Sequence, residues 1–388
     1  MKIEDWYHSH FETQLRGRYI AMDHIYPLLD IYKRKYEISV PGLSEQNRDI
    51  PLIKIGLGEK VVLGWSQMHG NETTTTKAIF DFIRFINQSD HFRDVIDKFL
   101  EEYSFYIFPI LNPDGAKLYT RENANGIDLN RDAQELSQKE SQCLRKIFDE
   151  IKPLLCLNMH DQRSIYGFAN GCPATVSFLS PAADRSRTIT SSRKIAMELI
   201  VKMERTLKKY IPGHIGRYDD SFNKACVGDT FQNAGTPTIL FEAGQFKGDY
   251  HREKTREYIF YSLLAVFDII GDPALPLNYK EYFKIPENLK NYNDFILRNV
   301  KLTGTSKRVS IAIQYREVLK NEIVVFEPFI DEIGSLENKF GIVEKDAEGA
   351  EILTIPQDNL TVGANISEII DKNDESVIYF QKINSIIA

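Results

Sequence analysis

Residues 61–76 read VVLGWSQMHGNETTTT. The apolar run 61–65 has the composition of a buried strand. TTTTKAIFDFIRFIN after it has that of a helix, with Thr at its start and Ile79, Phe82, Ile83 and Ile86 on one face. Between the two stand His69, Gly70 and Glu72. A His-x-x-Glu pair at a strand-to-helix junction aims an imidazole and a carboxylate at one point, with Gly70 expected to let the backbone turn sharply. Alone, that spacing is common on protein surfaces. Its weight comes from the polar residues that stand at the ends of the other strands.

Working outward, FYIFPIL (105–111), LLCLNM (154–159) and TPTILFEAG (236–244) read as further strands. The segments SQKESQCLRKIFDEI, SSRKIAMELIVKMERTLKKY and TREYIFYSLLAVFDII read as helices between and after them. Upstream, 20–31 carries helical spacing, and YEISVPGLSEQNRDIPLIKIG (36–56) reads as strand, turn, strand. Continuous apolar strands alternating with helices predict an α/β domain with a largely parallel sheet, covering 1–272 and closing near GDPALPLN (271–278). Beyond it, VSIAIQYREVL, NEIVVFEPFI, FGIVEKD and ESVIYFQKI predict a small β-rich accessory domain over 280–388, with PENLKNYNDFILRNVKL (286–302) expected as a helix.

A formal charge of −7 over 388 residues argues against nucleic acid or an anionic membrane as the main partner. No window approaches the ~20 apolar residues of a membrane span. Cys143, Cys156, Cys172 and Cys226 form no CxxC pair and no zinc-finger spacing, which suits free thiols in a reducing compartment. The start MKIEDWYHSH has no signal-peptide character, and the expected location is cytoplasmic.

Ligands of an open parallel sheet bind beyond the carboxyl ends of its strands. After 61–65 come His69 and Glu72. After 105–111 come Asn112-Pro113-Asp114-Gly115, Arg121 and Asp128-Leu129-Asn130-Arg131. His160 comes after LLCLNM, and Glu242 ends TPTILF. Two imidazoles and a carboxylate make a catalytic zinc set that leaves one position open for water.

HGNE, NPDG, the Arg followed by DLNR, a histidine ending one strand and a glutamate ending a later one together resemble the zinc carboxypeptidase family, over about residues 35–270. The resemblance implies a mixed eight-stranded sheet flanked by helices, with one zinc ion held by His69, Glu72 and His160. It implies Glu242 as general base, Arg121 at the developing oxyanion, and Asn130 with Arg131 on the substrate's terminal carboxylate. It further implies Asp128 behind His69, and Tyr218 as the mobile tyrosine that covers bound substrate. The implied activity is removal of a C-terminal residue from a peptide by zinc-activated water.

Some positions depart from the digestive carboxypeptidases. Arg121 and Arg131 are closely spaced, Asn71 lies inside the His-x-x-Glu motif, Asp132 follows DLNR, and Asp161 follows His160. Compactness and a β-rich C-terminal domain also resemble the aspartoacylase and succinylglutamate desuccinylase branch, which cleaves acyl-amino acids. A cell-wall tripeptide amidase and a non-catalytic binding module on the same fold stay open as well. Every catalytic alternative takes a substrate with a free carboxylate. The pocket for the released side chain is expected around Cys226, Val227 and Asp229.

Overall fold

The computed structural model describes residues 1–88, 90–271, 276–302, 307–356 and 360–382. Half of the closing segment expected at 271–278, residues 272–275, therefore lies outside the described residues. The chain divides into two compact units. The first comprises Met1–Gln162, Thr175–Gly244 and His251–Glu287, and the second Arg163–Ala174, Gln245–Tyr250 and Asn288–Ala388. Among the described residues no helix is long and apolar enough to cross a membrane.

The first unit holds one sheet made of β1 (Glu37–Leu43), β2 (Asp49–Ile55), β3 (Lys60–Ser66), β4 (Tyr103–Phe108), β5 (Leu155–Asp161), β6 (Val176–Leu179), β7 (Ile215–Arg217) and β8 (Thr238–Ala243). Their order is β1-β2-β4-β3-β5-β8-β6-β7. The centre, β4-β3-β5-β8, is parallel, while the β1–β2, β2–β4 and β6–β8 pairings are antiparallel. The sheet is thus mixed, and the parallel reading holds for its centre. Every residue of β5 is buried, which is why LLCLNM shows no apolar/polar alternation.

Flanking helices are α1 (Ile3–His10), α2 (Met22–Tyr32), α3 (Thr74–Gln88), α4 (Arg93–Glu102), α5 (Pro113–Leu118), α6 (Lys139–Ile151), α7 (Ser191–Leu207), α8 (Val227–Asn233) and α9 (Glu253–Val266). The expected one-sided face of α3 is an underestimate, because Thr74–Ile83 is buried all round. Its two interior charges are neutralised from α9: Lys77 by Glu253 and Asp81 by Arg256, each at 2.6 Å. Below the site, Trp65, Met68, Phe108, Leu129, Phe148 and Phe231 share one core, with the Phe148 and Phe231 rings stacked 3.8 Å apart. That packing fixes α8 over the end of β3.

The second unit holds a four-stranded sheet of order β11-β10-β9-β12, formed by β9 (Tyr292–Lys301), β10 (Arg308–Lys320), β11 (Ile323–Gly334) and β12 (Phe340–Asp346). A three-stranded sheet adds β13 (Ile352–Ile355), β14 (Glu368–Asp371) and β15 (Ile378–Gln381). The helix expected over 286–302 is instead β9. As an interior strand its residues 292–297 are all buried, so the run lacks the alternation that separates a strand from a helix.

Asp294 on β9 is buried and accepts hydrogen bonds from Gln314 Nε2 at 2.6 Å and Tyr315 N at 2.8 Å. Burial pushes its carboxyl up to about 7. The native state therefore holds a proton that the unfolded chain releases near pH 4. The associated stability is complete below that ordinary value and is lost as pH rises toward about 7. Asp294→Asn should flatten this fall and leave the protein about 2–4 kcal/mol more stable than wild type at pH 8. Denaturant melts from pH 4 to 8 check this. Parallel curves for the two proteins would remove Asp294 as the cause.

Candidate active site

The loop that carries His69 is built before it is functional. Gln67 leaves β3 at a left-handed φ of 44°, and its amide Nε2 donates to Ile20 O and Gly70 O. Asn112 donates from its backbone to Gln67 O and from Nδ2 to Met68 O, while its Oδ1 accepts from Gly115 N and caps α5. Gly70 lies in the expected turn, closed by Glu72 N–H donating to His69 O at 3.1 Å, and also serves close approach. A Cβ there would lie 1.9 Å from the Gly115 carbonyl carbon. HGNE and NPDG are therefore two halves of one loop–loop contact.

His69, Glu72 and His160 form a group whose ligand atoms all lie within 4.8 Å of one another. His69 Nδ1 is 2.8 Å from Glu72 Oε1, His160 Nδ1 is 2.8 Å from Glu72 Oε2, and the two Nδ1 atoms are 3.1 Å apart. His69 Nε2 stands 3.0 Å from Asp128 Oδ1. Donation from Nε2 to that carboxylate leaves the Nδ1 lone pair facing the cluster, the tautomer a metal requires. Hydrogen bonding alone satisfies the group poorly: with Nε2 donating to Asp128, the His69 Nδ1 lone pair faces the Glu72 Oε1 acceptor at 2.8 Å, and a proton placed on Nδ1 would instead oppose Arg121 Nη1, a donor only, at 3.2 Å. One dication accepting both Nδ1 atoms and the carboxylate resolves the conflict. The donor set fits zinc.

Around this group the structure places Arg121, Asp128 and Glu242. Arg121 donates from Nε and Nη2 to Asp128 Oδ2 at 3.1 and 2.9 Å, so its guanidinium stands beside the ligand cluster. Glu242 lies opposite His160 in the parallel β5–β8 register, on the same face one strand over. Asn130 and Arg131 belong to a 3-10 turn that Asp128 caps. Asn130 Oδ1 accepts from Val227 N, and Arg131 Nη1 donates to Asn130 O and Cys226 Sγ. Arg131 is exposed and has no ion-pair partner among the described residues. Tyr218 follows β7, held through its backbone N–H on Phe178 O. Asp229, in the first turn of α8, is 8% exposed, and burial holds its carboxyl up at about 7.

The charges are arranged by burial and mutual attraction. Burial disfavours the charged form of both His69 and His160. In His160 it prevails and lowers the pKa, whereas in His69 the fields of Glu72 and Asp128 outweigh it. Burial likewise opposes the Glu72 and Asp128 anions, but the adjacent rings, with Arg121 beside Asp128, hold both carboxyls far down. Glu242 is pushed well up, first by burial and then by the Glu72 and Asp161 charges, with Arg121 and Arg252 opposing. A cation among the ligands acts in the same direction as the two arginines.

Two neighbours carry no motif. Asp161 accepts from Thr74 N and Oγ1 at 3.1 and 2.5 Å, and its own N–H donates to Glu72 Oε2 at 3.2 Å. Arg252 reaches the ends of β5 and β8 through backbone carbonyls. Sequence spacing shows the first only as the residue after His160 and gives no sign of the second.

A family model described as zinc carboxypeptidase matches residues 26–219. No curated protein sequence matches the chain significantly. Among solved structures, thrombin-activatable fibrinolysis inhibitor matches at 16% identity and a TM-score of 0.53, covering 69% of this chain and 79% of its own. A metallo-carboxypeptidase from Pseudomonas aeruginosa, in complex with (2-guanidinoethylmercapto)succinic acid, matches at 16% identity and 0.51, covering 64% and 70%. The carboxypeptidase A of Helicoverpa armigera matches at 16% and 0.50, covering 64% and 73%. At these identities the structural likeness is one of fold.

Proposed function

Since the chain belongs to the zinc carboxypeptidase family, we propose that it removes C-terminal residues from peptides at the His69–Glu72–His160 centre. The observation that carries this reading is the convergence of both Nδ1 atoms on the Glu72 carboxylate, with Asp128 behind His69 and Glu242 one strand over. A bound zinc ion supplies a Lewis acid that polarises the scissile carbonyl and makes water a better nucleophile at neutral pH.

The remaining work falls to side chains. Glu242 takes the proton of the attacking water and returns it to the leaving amine. Arg121, already beside the ligands, turns its guanidinium toward the oxygen on which charge develops. Asn130 spends its carbonyl on Val227 N, which leaves its amide N–H groups for the substrate. Arg131 spends Nη1 on Asn130 O and Cys226 Sγ, and its remaining donors form a planar fork for a terminal carboxylate. Tyr218 covers the bound chain. The four cysteines are free, which supports a reducing compartment such as the cytoplasm.

Arg131→Ala tests the carboxylate assignment. Loss of a charge-assisted hydrogen bond should raise KM for free-acid peptides about 10- to 100-fold, with kcat changed far less. The comparison uses matched peptides ending in a free acid and in an amide. Unchanged discrimination between them in the variant would take Arg131 out of substrate recognition.

A further inference from the structure

Arg252 is 2% exposed and precedes α9 at φ 57°, a left-handed conformation that a non-glycine residue rarely adopts. Local preference would place Gly or Asn there, so the side chain must account for the arginine. Its Nη1 donates to Ala243 O and its Nη2 to Gln162 O, each at 2.6 Å. These carbonyls lie one residue past Glu242 and two past His160. Where the β5–β8 ladder ends, Gln162 N also donates to Ala243 O at 2.8 Å, so the guanidinium closes the last rung.

The same group reaches a third segment. Arg252 Nη1 is 3.5 Å from Asp161 Oδ2, the oxygen that accepts from Thr74 N and Oγ1 at the start of α3, two residues past Glu72. Directly or through Asp161, one planar cation therefore touches all three chain segments that deliver Glu72, His160 and Glu242. A guanidinium suits this junction because its fork bonds two carbonyls in fixed geometry, whereas an ammonium is a point charge.

We propose that Arg252 is a positioning residue that sets the spacing between the base-bearing and ligand-bearing strands. The inference rests on the peptidase reading for its kinetic consequence, but not for its geometric one. Displacements of about 1 Å at a reacting group cost rates of order 100-fold. An arginine that only stabilises the fold would, when replaced, lower the melting temperature and leave the folded enzyme's turnover alone.

The test compares full-length wild type, Arg252→Lys and Arg252→Met. Each is loaded with Co2+ for its visible spectrum and with Zn2+ for kcat and KM on a free-acid peptide, with thermal melts alongside. The expected result for Arg252→Met is a kcat about 100-fold lower at nearly constant KM, and a cobalt spectrum altered in band position or intensity. Arg252→Lys should fall between, about 10-fold down, and it carries the test if the methionine variant does not fold. Folded variants that match wild type in both kcat and cobalt spectrum overturn the proposal. A wild type that hydrolyses no peptide would remove the peptidase reading, and the cobalt spectra would then decide Arg252 by themselves: altered bands uphold it, and superimposable ones reject it.

Discussion

Glu242→Gln should lower kcat by about 10²- to 10⁴-fold while zinc content and KM stay near wild type. Gln keeps the size and hydrogen-bonding outline of the side chain at the end of β8 but cannot accept a proton from water. Glu242 is not among the three residues grouped as the candidate metal site, so the ion should bind as before. In the metal-free protein, burial and the Glu72 and Asp161 charges push this carboxyl up, against Arg121 and Arg252. A group poised this way gains most from a nearby dication, which lets it be a carboxylate when water must be deprotonated. Steady-state kinetics with metal analysis on the same preparation provide the check. A variant turning over at near wild-type rate with full zinc would remove Glu242 from the chemistry.

The second large effect is expected from His160→Ala. Structural zinc sites hold their ion with about 10–16 kcal/mol over four ligands, so losing one should weaken binding about 100- to 1,000-fold. His160 is 2% exposed, and among the described residues its partners on the Nδ1 side are His69 and Glu72. Removing it leaves a two-ligand remnant. Added zinc should therefore raise the melting temperature of wild type, by mass action on the native state, but raise that of the variant far less. Competition with a chromophoric chelator measures the affinity directly. Equal zinc-induced shifts in the two proteins would mean that the ion binds elsewhere.

How much of the molecule is legible in its sequence depends on the kind of signal each part leaves. Central strands β3, β4, β5 and β8 are long apolar runs, and their carboxyl ends are where polar residues stand out against hydrophobic surroundings. That contrast makes His69, Glu72, His160 and Glu242 visible together, and the structure brings these four to one face. The resemblance to zinc carboxypeptidases adds what contrast cannot, because Asp128 and Arg131 look like ordinary turn and surface residues by themselves.

Other features leave no such trace. β6, β7 and α8 are four, three and seven residues long, too short for periodicity to register. β9 reads as a helix because an interior strand and a buried helix share the same unbroken apolar composition. Gly70 reads as a turn residue, which it is, but nothing in the sequence shows the Gly115 backbone lying against it. Arg252 stays hidden for a related reason: it reaches Ala243 and Gln162 through their backbone carbonyls, which every residue has.

Peptidase activity is read most directly by offering the zinc-loaded 388-residue protein one mixed pool and following every product by mass spectrometry. The pool holds free-acid peptides, their C-terminal amides, N-acyl amino acids and a cell-wall-type tripeptide. Stepwise loss of single residues from the free-acid peptides, intact amides, and arrest of the reaction by a chelator are the expected result. Cleavage confined to the acyl-amino acids, cleavage inside peptide chains, or no product at all would contradict it.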